Sequence, residues 1–539
     1  MRREYWIILW GLMLIVPMNL KGQLRYKFRV SLSDKKDNQP MLSRPETLLS
    51  QRAIDRRRRQ HISIDETDLP VSSAYLKELL DAGYSIISTS RWMNSVVVAT
   101  SDSLASASLM NFPFVTDAQL VWIDNQVQKS FFVKMDELGG RKKSRSSSED
   151  ALLQLQIHHG DQLHQAGYRG ENMWIAVIDA GFLNVDKIPQ LYGRVLGTHD
   201  FVDPSGDIFS THPHGTNVLS IMASPASETF SGTAPNAQYW LLRSEDSSSE
   251  YPVEEDYWVA AAEYADSLGV DVINSSLGYS LFDDPSMNHT HEQLDGKTAQ
   301  ITRGAGIAAS KGILVVNSAG NERQNPWHRI NFPADHHSIL TVGAVTPDLT
   351  PAWFSGVGLQ NNGSVKPNVA ALGDPAYVID VDGKLNSGSG TSYSTPVIAG
   401  LAACLWQSLP QFTNQQIIRL LEANSSSYAT PDSLSGFGVP DVYAAFQAST
   451  RMNTMQDDSQ IRFVCIDPVG HLWRVEGLSC DGDSYILQVI NTSGQVMEKY
   501  RFKSCPYVFN LKNLSSGLYI IKLTGTRVQY SQRIYLVTK

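Results

Sequence analysis

Cysteine is scarce in this 539-residue chain: there are four, Cys404, Cys465, Cys480 and Cys505. Four are too few for a disulfide framework, and no C-x-x-C spacing suggests a zinc site. Cys404 lies in the apolar run "AGLAACLW" and reads as core. The other three cluster near the C-terminus, enough for one disulfide with one thiol left over. A cationic excess is also missing. The formal net charge is −9, which argues against a broad nucleic-acid surface. Beyond the N-terminus no stretch approaches the ~18 apolar residues of a membrane-spanning helix. What is present, 42% hydrophobic and 18% charged residues, describes a globular protein with ample core. Its length suggests about three or four domains.

The one long apolar run opens the chain. In "MRREYWIILWGLMLIVPMNLKG", Arg2 and Arg3 precede an apolar stretch from Trp6 to Val16. A charged start followed by an apolar segment too short to span a bilayer predicts a signal peptide at residues 1–22. The protein is therefore expected to be exported through the periplasm, secreted or displayed at the surface, without a transmembrane anchor.

Residues 23–136 alternate between strand and helix patterns. "YKFRVSL" and "RWMNSVVVAT" are rich in β-branched and aromatic residues, while "VSSAYLKELLDAG" has helical spacing and a terminal glycine. This predicts a small α+β domain. The basic run Arg56–Arg59 within it reads as a solvated helix face. "GGRKKSRSSSED" is charged, Ser-rich and free of aromatics, a linker over residues 137–151. A second polar stretch, residues 449–460, separates the final region.

Between the linkers, residues 152–448 carry continuous apolar runs with helical patterns between them: "WIAVI", "QYWLL", "VDVIN", "GILVVN" and "ILTVGAV". Continuous apolarity implies strands buried on both faces, hence an α/β domain with a parallel sheet between helical layers. Ligands of such sheets bind beyond the carboxyl ends of the strands. Asp179 follows the first run and Asn321 follows "GILVVNSAG". His214 precedes the helical segment "VLSIMA". Ser389, Ser392 and Ser394 precede "PVIAGLAACLW", which is apolar on nearly every face and so belongs to a buried helix.

A carboxylate, an imidazole, a hydroxyl and an amide make a coherent set for acyl transfer. The hydroxyl needs a neighbouring base, and the base needs a group that orients it and stabilises its charge. Histidine suits the base role. Asp179 would hold the ring, and Asn321 with the Ser392 N–H would stabilise an oxyanion. A metal pair at His212 and His214 lacks a third ligand at recognisable spacing. The G-x-S-x-G elbow of α/β-hydrolases fails, because "GTSYS" ends in Ser394.

These segments resemble the subtilases, the subtilisin-like serine proteases. "AVIDAGF" looks like their Asp motif, "HPHGTNV" like their His motif and "GTSYSTPVIAGLAA" like their Ser motif. The matching residues are Asp179, His214 and Ser392, in the family's order. "SAGNE" resembles the segment carrying the oxyanion asparagine, Asn321. "INSSLG" resembles the substrate-binding strand, with Ser276, Leu277 and Gly278. Asn331, before "FPA", falls by family position near the base of the specificity pocket. Ala180, Phe182 and the pair Tyr393-Ser394 depart from the usual residues, and none carries charge.

The resemblance implies a secreted serine endopeptidase with no catalytic cofactor, made as a precursor that cleaves itself. Protein or peptide substrates and its own propeptide, residues 23–136, are the implied partners. It also allows a structural calcium. Asp283, Asp284 and Asp295 share an acidic loop, yet their spacing matches no calcium loop, which favours solvated acids. Residues 461–539 alternate, with turns at "NTSGQ" and "NLSSG", and predict a small β-sandwich. They resemble the C-terminal sorting domain of type IX secretion cargo, which adds the secretion machinery as a partner. An inactive adhesin on this fold and an exported esterase or amidase are the alternatives. The intact motif set speaks against the first, and the triad order against the second.

Overall fold

The computed structural model describes residues 25–124, 148–227, 230–361, 364–454, 462–467, 470–476, 478, 484–525 and 529–536. The expected signal peptide and most of the first linker lie outside them. The chain forms two compact units, one ending at Asp441 and the other beginning at Val442.

The first unit opens with the predicted α+β domain. Strands β1 (Tyr26–Leu32), β2 (Ser85–Ser90), β3 (Ser95–Thr100) and β4 (Val115–Ile123) form an antiparallel sheet in the order β2-β3-β1-β4. Helices α1 (Gln51–Arg59), α2 (Ser73–Asp81) and α3 (Ala105–Leu109) accompany it, and Phe28, Val30, Leu79, Val96, Val98 and Leu109 share its core. The segment "RWMNSVVVAT" is strand only from Ser95 onward. Asn94 takes φ 49°, a left-handed turn that asparagine tolerates.

The basic run on α1 corrects the sequence reading. Arg58 is exposed as expected, but Arg56 and Arg57 are each 1% exposed. Arg57 donates to Asp68 at 2.9 Å and to Asp266 at 2.7 Å, while Arg56 pairs with Asp266 and donates to the Val270 carbonyl. Asp266 belongs to the following domain. Charges taken out of water must be paired, and the partner shared by both arginines, Asp266, lies about 210 residues on, so local pattern does not reveal it. The same interface holds Arg29, bidentate on Asp256 at 2.6 and 2.8 Å. Glu263 accepts from the Ser90 hydroxyl and from the N–H groups of Arg91 and Trp92.

Next come α4 (Ser148–Gln156) and α5 (Gly160–Gln165), then the large sheet. Its strands are β5 (Trp174–Asp179), β6 (Val195–Asp200), β7 (Gln238–Arg243), β8 (Val272–Ser275), β9 (Leu314–Ser318) and β10 (Leu340–Val345), closed by Val369–Leu372. All pairings are parallel, with Val369–Leu372 at one edge and β6 at the other: Val369–Leu372, β10, β9, β8, β5, β7, β6. The five apolar runs are the five inner strands. The two edge strands escaped the reading because "VLGTHD" is polar and "VAAL" is short.

Helices cover the sheet. Those at Val253–Leu268 and Gln300–Ser310 pack together over Ala176, Ile178, Ile273 and Val315. Those at His214–Ala223 and Thr391–Ser408 pack with each other and against the sheet. The last is buried from Thr391 to Trp406, as its all-round apolarity predicts. This is the expected three-layer α/β domain.

The second unit begins with a helix, Val442–Thr454, which crosses the expected boundary at 448/449 and runs into the expected linker. Two antiparallel sheets follow, one of three strands and one of four, sharing a core that includes Trp473, Val475, Leu487, Val489, Phe509 and Ile521. The predicted all-β domain is present. Cys505 is disulfide-bonded, Cys465 is a free thiol, and Cys404 is fully buried in the first unit. Among the described residues no helix is long and apolar enough to cross a membrane.

Candidate active site

Asp179 ends β5 at the carboxyl edge of the sheet and is fully buried. His214 opens the helix that follows "THP". The Gly215 N–H donates to the Gly181 carbonyl at 3.0 Å, docking that helix on the loop after β5. A Cβ at Gly215 would lie 2.4 Å from the same oxygen, so only glycine permits the approach. The result is a buried hydrogen bond of 2.8 Å between His214 Nδ1 and Asp179 Oδ1, an oxygen that also accepts from the Ala180 N–H at 2.8 Å. The His214 ring lies 6.0 Å from that of Tyr393, the neighbour of Ser392.

Ser392 is the second residue of its helix, 4% exposed. Pro396, four residues on, has no N–H to offer the Ser392 carbonyl. The Ser276 hydroxyl fills the gap, donating to that carbonyl at 2.8 Å. In return Ser392 Oγ donates to the Ser276 carbonyl at 3.3 Å. Nucleophile candidate and the segment that follows β8 are thus tied in both directions. The competing serines are engaged elsewhere: Ser389 on Asp374 at 2.7 Å, Ser394 on the Thr391 carbonyl at 3.0 Å.

Asn321 follows β9. Its side-chain oxygen accepts from the Thr391 N–H at 2.9 Å and the Thr391 hydroxyl at 3.0 Å. A backbone N–H can only donate, so the atom facing it is the oxygen and the NH₂ points the other way. A Cβ built on Gly390 would lie 3.6 Å from Asn321 Nδ2 and 3.7 Å from the Ser392 nitrogen. Two donors therefore flank one point beside the Ser392 backbone.

Ser276, Leu277, Gly278 and Asn331 line a cavity of about 300 Å³ together with Asn321 and Ser392. Asp179 and His214 are not part of that lining; they pair with each other, with the His214 ring 6.0 Å from the ring of Tyr393 next to Ser392. Sequence reasoning missed others. Thr391, inside the Ser motif, orients Asn321. Asn317 donates to the Leu277 carbonyl at 3.2 Å and steadies the segment after β8. Arg243, paired with Asp200 at 2.8 Å, donates to the Ala180 carbonyl at 3.1 Å beside Asp179. Its place in register with Asp179 on the neighbouring strand had no local signal.

The three loop acids considered for calcium each serve their own surroundings. Asp283 accepts from the Glu250 N–H, Asp284 from Ser286, and Asp295 from Lys297 and Thr298. Among the described residues no group of three or more His, Cys, Asp or Glu could hold a metal ion.

Family models match three regions of the chain. The Subtilase family model matches residues 170–438. A Bacteroidota peptidase S8 propeptide domain matches residues 27–136, and a secretion system C-terminal sorting domain matches 477–537. Subtilisin DY of Bacillus licheniformis is 30% identical, over 53% of this chain and 95% of its own length. Subtilisin NAT of Bacillus subtilis subsp. natto is 33% identical over 53% and 68%. Among solved structures, MycP1 from Mycobacterium smegmatis is 23% identical with a TM-score of 0.45, covering 56% of this chain and 86% of that one.

The chain belongs to the subtilase family and is a subtilisin-like serine protease. It carries an N-terminal propeptide domain and a C-terminal type IX sorting domain, which marks it for export to the medium or the cell surface.

Proposed function

We propose that the protein hydrolyses peptide bonds through Asp179, His214 and Ser392, with Asn321 and the Ser392 N–H stabilising the oxyanion. The observation that carries this reading is the buried 2.8 Å Asp179–His214 bond at the end of the helix beside Tyr393. Asp179 accepts the Nδ1 proton, which leaves the other ring nitrogen as the base. Ser392 Oγ attacks the substrate carbonyl carbon as its proton passes to His214. Charge builds on the carbonyl oxygen, where Asn321 Nδ2 and the Ser392 N–H donate. The tetrahedral species expels the amine, protonated by His214, and leaves an acyl-serine. Water, deprotonated by His214, then releases the acid and restores the hydroxyl.

The same chemistry would free the protease from its propeptide, which acts until then as folding aid and inhibitor. Non-local pairings dominate parallel sheets and make them slow to fold, so such an aid has a physical use. The decisive experiment pairs organophosphonate labelling, mapped to Ser392, with a Ser392→Ala precursor. The expected result is a label at Ser392 and a variant that neither cleaves peptides nor loses its propeptide. Normal maturation of that variant in a protease-free host would refute self-processing.

A further inference from the structure

The cavity beside Ser392 has one sign of charge. Glu245, Glu250, Asp283 and Glu322 line it, and no lysine, arginine or histidine does. A concave, one-sign lining focuses its field on whatever enters.

The deep end is shaped as well as charged. A Cβ on Gly320 would lie 2.3 Å from Glu322 Oε2 and 3.0 Å from Asn331 Nδ2, so the carboxylate and the amide meet across that glycine. Gly320 has φ 95°, a second reason no larger residue stands there. A Cβ on Gly278 would lie 2.8 Å from Asn331 Cβ, so a second glycine abuts the same side chain. Asn331 is 5% exposed, and its side-chain oxygen has no hydrogen-bond partner among the described residues. A buried acceptor without a donor is costly. A donor arriving with the substrate would satisfy it.

A third observation comes from the sequence. The stretch joining the propeptide to the protease domain, residues 125–147, holds six basic residues and two acidic ones. The substrate covalently nearest this acidic cleft is itself cationic.

We propose that the cleft selects peptides with lysine or arginine at the residue whose carbonyl Ser392 attacks, its cationic head held by Glu322 and Asn331. Glu245, Glu250 and Asp283 line the approach and favour further positive charge upstream. The inference rests on the catalytic reading given above, and its test separates the two. The matured enzyme is assayed on peptides identical except at that residue: lysine, arginine, glutamine, leucine or glutamate. Lysine and arginine peptides should exceed leucine and glutamine peptides in kcat/KM by about ten- to hundredfold, the range of one charge-assisted hydrogen bond. The glutamate peptide should be the poorest. Glu322→Gln and Asn331→Leu should each lower the lysine-to-leucine ratio, a quantity insensitive to how much enzyme is correctly folded. Equal cleavage of lysine and leucine peptides, or a ratio that neither variant moves, overturns the specificity and leaves the catalytic reading standing. Failure to cleave any of the peptides overturns both.

Discussion

Replacing Arg57 by methionine tests the contact between propeptide and protease most directly. The guanidinium is 1% exposed and bridges Asp68 of the propeptide to Asp266 of the protease, at 2.9 and 2.7 Å. Methionine keeps much of the volume and removes the charge. Breaking a buried pair by deleting one partner costs about 3–5 kcal/mol, because the other charge stays desolvated. Arg56 still reaches Asp266, and Lys311 still reaches Asp68 at 3.2 Å, so the lower end applies. About 3 kcal/mol is roughly a hundredfold in affinity. Diluting the processed but still associated complex and following recovery of activity measures it. The Arg57→Met propeptide should dissociate at about hundredfold higher concentration than the natural one. Arg58→Met, whose side chain is 72% exposed, should stay within about twofold. Equal effects from the two variants would refute the claim that the buried half of the basic run holds the propeptide.

Other expectations follow from the same geometry. Asn321→Ala should lower kcat by about two to three powers of ten with KM little changed, a magnitude taken over from subtilisin. Thr391→Val, which removes only one of the two bonds orienting Asn321, should fall between Asn321→Ala and the natural enzyme; an unchanged kcat in the alanine variant removes the residue from the oxyanion role. His158 is fully buried with Nδ1 2.9 Å from the Pro440 carbonyl, and burial pushes its pKa down to about 4. The unfolded chain therefore binds the proton more readily, so this contribution to stability is complete above about pH 6.5 and is lost as pH falls to about 4, a loss of about 3 kcal/mol. Tm measured across that window should drop more steeply in the natural protein than in His158→Gln, and parallel slopes would refute the assignment. A chain ending after Thr454 should keep peptide-cleaving activity but remain in the periplasm of a host with type IX secretion. Finding it in the medium would sink the sorting role.

The inner strands, the two polar groups after them (Asp179 and Asn321) and the two at helix starts (His214 and Ser392) are legible because all are local signals. A strand buried on two faces must be apolar throughout, and a catalytic group at its end must be polar. The edge strand Val195–Asp200 has one open side and few apolar residues, so it carried no such mark. The expected boundary at 448/449 divides the helix Val442–Thr454 at its polar second half, since nothing in "STRMNT" distinguishes a helical tail from a linker. Arg56 and Arg57 read as solvent-facing because the carboxylate they share, Asp266, stands more than two hundred residues away. The role of Thr391 was hidden for the opposite reason. It sits in full view within the Ser motif, but only the meeting of two distant loops gives its N–H an acceptor.

The orientation of Asn321 also sets how this enzyme would age. Thr391 fixes the side-chain oxygen, so everything useful about the residue lies in its NH₂. Spontaneous deamidation there would change almost nothing in shape: an aspartate could keep both bonds to Thr391 and remain folded. On the proposed mechanism it would, however, set a negative oxygen beside the point where negative charge develops. A molecule altered in this way would pass every test of structural integrity, still bind peptides, and no longer turn them over. In a protease working outside the cell, where no repair reaches it, loss of activity would then precede any loss of fold.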